Sequence, residues 1–215
     1  VLESYRKQYV HGRYAYHTEV LIKEVQNALK LPEPVKPPVI VSIPRPLIRV
    51  RLSKRKNINT MVLKAPDLAI SFNKSTKYFN DRLEFSANNK SVLFKNEQVN
   101  GKVIISSSSP IEILLNSRSY KTIKGKIVLT AKSDKLIVLN HVDIEDYLKS
   151  VVPSESYSSW PLETLKAQAV CARTYALYQK NHRVNWSYDV VDTIYDQVYG
   201  GVQKQNAKTT MAVNE

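Results

Sequence analysis

The chain has 215 residues, enough for one sizeable domain with an extension or for two small domains. Its 43% hydrophobic content is ordinary for a globular protein, but 32 Lys and Arg against 19 Asp and Glu leave a net charge of +13, which favours polyanionic partners such as nucleic acid, anionic lipid or acidic wall polymers. A single cysteine, Cys171, excludes an intrachain disulfide, and no apolar run is long enough to span a membrane.

Residues 18–31 read as a short amphipathic helix, with Leu21, Val25, Ala28 and Leu29 on one face and Thr18 as its N-cap. Before it, Tyr5, Tyr9, Tyr14 and Tyr16 alternate with basic residues, as in a partner-binding arm or a loosely docked extension. Pro32, Pro34, Pro37, Pro38, Pro44 and Pro46 then make an extended linker or wrapping strand, because proline fixes φ and removes backbone donors. The expected division is therefore an N-terminal helical extension over 1–31, a proline-rich linker over 32–47 and a main domain over 48–215.

From Ile48 to Leu139 the pattern is that of strands. IRVRL alternates, and LAISF, VLF, KVIIS, IEILL, KIVLT and KLIVL are short apolar or alternating runs. Asn88-Asn89, Asn100-Gly101, Lys124-Gly125 and Ser133-Asp134 separate them, and Asn-Gly suits a tight hairpin turn. Helices follow. Asp143 caps one from Ile144 to about Val152, where Pro153 disfavours continuation. Ser158 or Ser159 is the expected cap of the next, with Pro161 and Glu163 in its first turn and Leu162, Leu165, Ala169, Ala172 and Ala176 as its buried stripe. Strands first and helices later predict an α+β fold.

The basic residues are scattered; the densest run is Arg49, Arg51, Lys54, Arg55 and Lys56. No zinc-finger spacing, RRM signature or helix-turn-helix accompanies them, so a nucleic-acid reading lacks a recognition module. Glu155 is the informative acidic residue. It follows Val151, Val152 and Pro153 and precedes Tyr157 and Trp160. A carboxylate buried in such company favours its protonated form and can act as a general acid, whereas the base-rate alternative is a surface glutamate at a helix end. Lys166 and Arg173 are seven apart and share a helix face within about 20°. They are either ligand contacts or two solvated basic residues.

The words VVPSE, SWPLETLKAQAVCARTYAL and DQVYGG resemble those of the SpoIID/LytB family, named for the stage II sporulation protein D and an enhancer of cell-wall amidases. The resemblance covers roughly residues 48–215 and is densest from Val142 to Tyr178. It implies a peptidoglycan lytic transglycosylase that cuts between N-acetylmuramic acid and N-acetylglucosamine, with Glu155 as the single catalytic acid/base. It also implies substrate contacts by Lys166, Gln168, Arg173, Tyr175 and Gln197, each with a structural alternative: a core tyrosine at 175, a loop cap at 168, a chain reversal at 197–201. A second reading within the same resemblance is a glycan-binding enhancer of a cell-wall amidase that does not cut.

The implied partners are peptidoglycan glycan strands and a cell-wall amidase, with no nucleic acid. The implied location is extracytoplasmic, with a targeting or membrane-anchoring segment expected before Val1. Some members carry a pattern like DVCDTTHCQVY that binds zinc. Here the chain reads DVVDTIYDQVY, and Val191, Tyr195 and Asp196 cannot make a four-ligand zinc site, so no metal and no cofactor are expected. Cys171 is expected as a small buried residue rather than a nucleophile. The family continues beyond the position of Glu215 with a Gly- and Ser-rich segment, so either the C-terminal end of the domain is missing here or this member is short.

Overall fold

The computed structural model describes residue 23 and residues 45–52, 58–115 and 118–215. The tyrosine-rich start, the helix expected over 18–31 apart from Lys23, and the prolines before Arg45 lie outside the described residues. Residues 45–215 form one compact unit. It is α+β, as the order of the sequence patterns predicts: ten strands come first, then three helices with one short strand between the second and third.

The strands are β1 (Leu47–Arg51), β2 (Thr60–Phe72), β3 (Ser75–Asn88), β4 (Ser91–Phe94), β5 (Glu97–Asn100), β6 (Val103–Ser106), β7 (Ile111–Leu115), β8 (Arg118–Ile123), β9 (Lys126–Lys132), β10 (Lys135–Asp143) and β11 (Val190–Val191). They join in one sheet in the order β11-β1-β10-β9-β6-β2-β3-β4-β5, with β7 and β8 branching from β2. The branch arises because β2 changes partner: residues 62–64 pair with β7 and residues 69–71 pair with β6. Between them, at Pro66 and Asp67, the register with β3 shifts. Proline cannot donate to a ladder, so an irregularity belongs there.

Two-residue turns at Asn73-Lys74 and Ser133-Asp134 have positive φ at both positions, as primed hairpin turns require, and close β2 onto β3 and β9 onto β10. Asn100-Gly101 does not behave as its dipeptide suggests. β5 pairs only with β4, while β6 pairs with β2 and β9, so this turn carries the chain across the sheet instead of closing a hairpin. Inward residues alternate along β1, β6 and β7, and the aromatic part of the core centres on Phe94, whose ring lies 5.3 Å from Phe72, 6.3 Å from Phe79 and 5.4 Å from Phe85.

Helix α1 spans Ile144–Glu155 and α2 spans Leu162–His182; α3 spans Ala207–Asn214, after a 3-10 turn at Val202–Lys204. Asp143 caps α1, its carboxylate accepting from the backbone N–H groups of Glu145 at 2.9 Å and Asp146 at 3.3 Å. The helix does not stop at Val152; it runs three residues further, with Pro153 inside its last turn. Tertiary hydrogen bonds hold that turn from both sides of the proline, at Ser150 and at Glu155. The cap expected at Ser158 or Ser159 is also not used. Pro161 occupies the N-cap of α2 and no side chain caps that end. Of the expected stripe, Leu165, Ala169, Ala172 and Ala176 are buried as their spacing predicts, while Leu162 in the first turn is only partly buried. Cys171 is exposed, because the stripe turns the other way. No helix among the described residues is long and apolar enough to cross a membrane.

Replacing Phe94 with Ala removes the ring that three other phenylalanines share and is expected to cost about 3–5 kcal/mol in a denaturant titration. A cost under about 1 kcal/mol would contradict this packing.

Candidate active site

Glu155 closes α1 at the protein surface. One carboxylate oxygen accepts a 2.6 Å hydrogen bond from the backbone N–H of Val198; the side chain is otherwise exposed. The apolar burial expected from its neighbours in sequence is absent. Val151 and Val152 point into the core, while Glu155, one turn on, sits on the outer side. Tyr157 (74% exposed) and Trp160 (40%) stand beyond it with rings 5.9 Å apart, edge to face. The Lys208 ammonium donates to the Trp160 carbonyl and fixes this turn against α3.

Val198 belongs to the loop that runs from Asp189 to Gly201, and this loop is held by ion pairs. The side chains of Asp189, Asp192 and Asp196 are 0%, 1% and 2% exposed, and each meets a base from a different element. From β1, Arg49 donates through Nε and Nη2 to one oxygen of Asp189 at 2.9 and 2.5 Å, and its backbone N–H donates to the other at 2.8 Å. From β8, Lys121 donates to Asp192 at 2.7 Å and to the Tyr199 carbonyl at 2.5 Å; the Tyr120 hydroxyl donates to the same Asp192 oxygen at 3.0 Å. Just past α2, Arg183 grips Asp196 with two bonds of 2.7 and 3.0 Å, and the Tyr175 hydroxyl and the Val191 N–H complete its shell. Burial alone would raise the Asp196 carboxyl; the bonds from Arg183, Tyr175 and Val191 outweigh it and hold the group below its ordinary value.

The end of the loop docks on α1. Ser150 Oγ donates to the Gly201 carbonyl at 3.0 Å and accepts from the Gly201 N–H at 2.7 Å. Gly201 has φ +84°, and a Cβ there would lie 2.5 Å from the Thr122 carbonyl oxygen, so only glycine fits. Tyr199 stacks on Tyr147 at 5.3 Å and donates to Asn140. Burial pushes both phenols above their ordinary value, so they serve as neutral donors.

Residues 132–215 match the family described as Stage II sporulation protein, SpoIID. This segment belongs to the SpoIID family. A protein of Brachyspira hyodysenteriae described as uncharacterized is 34% identical over 176 residues, covering 78% of this chain and 46% of its own length. A Bacillus subtilis protein named amidase enhancer is 44% identical over 68 residues, 32% of this chain and 9% of its own. The chain thus spans less than half the length of either relative. No solved structure matches.

The SpoIID segment does not gather all the residues singled out in the sequence. Lys166 and Arg173 share a helix face, as their spacing predicts, but they meet around the carboxylates of this chain: Lys166 lies 3.0 Å from Glu163 and 2.5 Å from Glu215, and Arg173 bonds Glu145 through two nitrogens at 2.9 and 2.8 Å. They line a recess with Glu145 and Glu215, and Glu155 is not part of its lining. Gln168 is half-buried on α2. Tyr175 is half-buried and spends its hydroxyl on Asp196. Gln197 is buried, accepting from the Tyr147 hydroxyl at 3.1 Å and donating to the Ala172 carbonyl at 3.4 Å. Among the described residues no cluster of three His, Cys, Asp or Glu is placed to hold a metal ion. Sequence reading missed Lys121, Arg183 and Ser150 altogether. The signal for the first two was the row of aspartates at 189, 192 and 196 in an otherwise apolar segment, since buried carboxylates require cations.

Lys121→Met removes an ammonium from the buried Asp192 carboxylate and is expected to cost about 3–5 kcal/mol; adding Asp192→Leu should restore a measurable part of it in equilibrium unfolding. An unaffected single variant would sink this reading. Because the folded carboxyl of Asp196 is depressed, it contributes stability above its ordinary value of 3.8, and that contribution is lost as pH falls through the folded value. Asp196→Asn should therefore lower stability at neutral pH and flatten its decline on acidification, as read from melting temperature against pH.

Proposed function

We propose that this protein is a peptidoglycan lytic transglycosylase in which Glu155 is the sole acid/base. The observation that carries the reading is the state of its carboxylate: one oxygen is fixed by the Val198 N–H and the side chain is exposed, with the exposed rings of Tyr157 and Trp160 in the turn that follows. An oriented, exposed carboxylate followed by exposed aromatic rings suits a sugar chain, since aromatic rings pack against apolar sugar faces. A glycan strand lying over the end of α1 would exclude water from the free oxygen and bring it against the glycosidic bond.

In this reading the Glu155 carboxyl gives its proton to the glycosidic oxygen as the C1–O bond breaks. The resulting carboxylate faces the oxocarbenium-like centre and stabilises it. It then takes the proton from the 6-hydroxyl of the same muramyl residue as that oxygen bonds to C1. The product is a 1,6-anhydro ring, the acid is regenerated, and no water or metal enters. One carboxylate serves both half-steps, unlike the pair used in hydrolysis. Lys166, Gln168 and Arg173, on α2, act as further strand contacts, whereas Tyr175 and Gln197 act by holding the loop that carries Val198. Such an activity belongs outside the cytoplasm, on the cell wall.

The relative named amidase enhancer supports a second reading, a protein that grips glycan and assists a cell-wall amidase without cutting. Digestion of purified glycan strands, with and without stem peptides, followed by mass spectrometry separates the two. Anhydromuramyl ends are expected from the wild type and at least about a hundredfold fewer from Glu155→Gln, the scale of loss for a general acid. Equal strand binding without cleavage by either protein would favour the enhancer reading.

A further inference from the structure

A second concave site lies where the end of β1, β10 and the loop beyond β11 meet. It is a cavity of about 500 Å³, within the size range of small-molecule sites, about 300–1,000 Å³. Arg51, Tyr188, Thr193, Tyr195, Arg183 and Asp196 supply its polar lining. Glu155 is not in its lining, yet the two sites share one loop: Thr193, Tyr195 and Asp196 face the cavity, and Val198 holds Glu155.

Its charges are unequal. Asp196 is the one carboxylate among the described lining residues, and Arg183 neutralises it with two bonds. Nη1 of Arg183, one of the two nitrogens on Asp196, also donates to the Asp189 carbonyl at 2.8 Å. Arg51 has no carboxylate partner among the described residues; its guanidinium lies 5.4 Å from the centre of the Tyr188 ring. That ring is fixed from its other neighbours by Trp186, 5.5 Å away and edge to face. A guanidinium beside an aromatic ring and without a carboxylate partner among the described residues can receive a ligand carboxylate through two parallel hydrogen bonds. On the same cavity, the hydroxyl oxygen of Thr193 is buried with no hydrogen-bond partner among the described residues, which marks a place where a ligand hydroxyl or amide would be favoured. Tyr195 is 85% exposed at the rim, a ring with one face free for a sugar to pack on.

We propose that this cavity is a second saccharide site that takes a pyranose carrying a carboxylate, with Arg51 on the carboxylate, Thr193 on a ring substituent and Tyr195 on the ring face. The inference rests on the glycan reading given above and adds to it an anchoring point separate from Glu155, so that one strand could be held at a carboxylated unit while another unit is presented to α1.

The test is an NMR titration of the whole chain with N-acetylmuramic acid and, in parallel, with N-acetylglucosamine, which lacks the lactyl carboxylate. The amides of Thr193 and Tyr195 are followed. The acidic sugar is expected to shift both amides and the neutral one to bind at least about tenfold more weakly; Arg51→Gln should remove that difference, while Glu155→Gln leaves it intact. Tyr195→Ala, at an exposed position, should weaken both sugars and serves if Arg51→Gln does not fold. Equal binding of the two sugars, no shift at these amides, or undiminished preference in Arg51→Gln would overturn the site. Failure of the catalytic reading looks different: no strand cleavage by the wild type, with the Arg51-dependent preference retained.

Discussion

Three carboxylates taken out of water within eight residues set the terms for the rest of this molecule. A buried charge without a partner is unaffordable at the scale of protein stability, so Asp189, Asp192 and Asp196 can lie where they do only if three cations reach them. Those cations come from β1, β8 and the end of α2, elements far apart in sequence. The loop is therefore a tie that binds both branches of the sheet to the helices, and its geometry is fixed by charge pairing more than by apolar packing.

That rigidity reaches the surface at one atom. The Val198 N–H is a weak handle by itself, a single hydrogen bond on an exposed side chain. It orients Glu155 only because the backbone on either side of it is immobile: Asp196 is clamped two residues before, and Gly201 is bonded twice to Ser150 three residues after. Ser150 lies on the same helix as Glu155, so the carboxylate and its donor are positioned by a closed circuit that runs α1, loop, α1. A side chain held by such a circuit can be solvent-exposed and still well placed, which separates two properties that burial usually supplies together.

The fold class, the strand runs with strong alternation and the Asp143 cap are legible in the sequence because each depends on neighbours along the chain. β3 is not. Its first eight residues are almost all exposed, with polar groups on both faces, so no alternation announces it; pairing with β2 makes it a strand. The length of α1 was missed for a related reason, since the contacts that carry it past Pro153 come from residues 198 and 201. Glu155 was found by position and misjudged in environment: apolar neighbours in sequence say nothing about which way a side chain turns at a helix end. Lys166 and Arg173 were correctly placed on one face, but sequence spacing could not reveal Glu145 and Glu215 waiting opposite them.

The parallel pairing of β1 with β11 joins Val50 to Val190 and Arg51 to Val191, and Arg49 meets Asp189 across 140 residues. Closing so long a loop carries an entropic cost that local contacts cannot offset until the intervening sheet exists. On a ribosome the first strand emerges long before its last neighbour, with one edge satisfied late. Folding of this domain is thus a matter of waiting: the chain reversal that brings Glu155 to the Val198 N–H comes late in the sequence, and a chain caught before it would present β1 as an open edge to any other strand at hand.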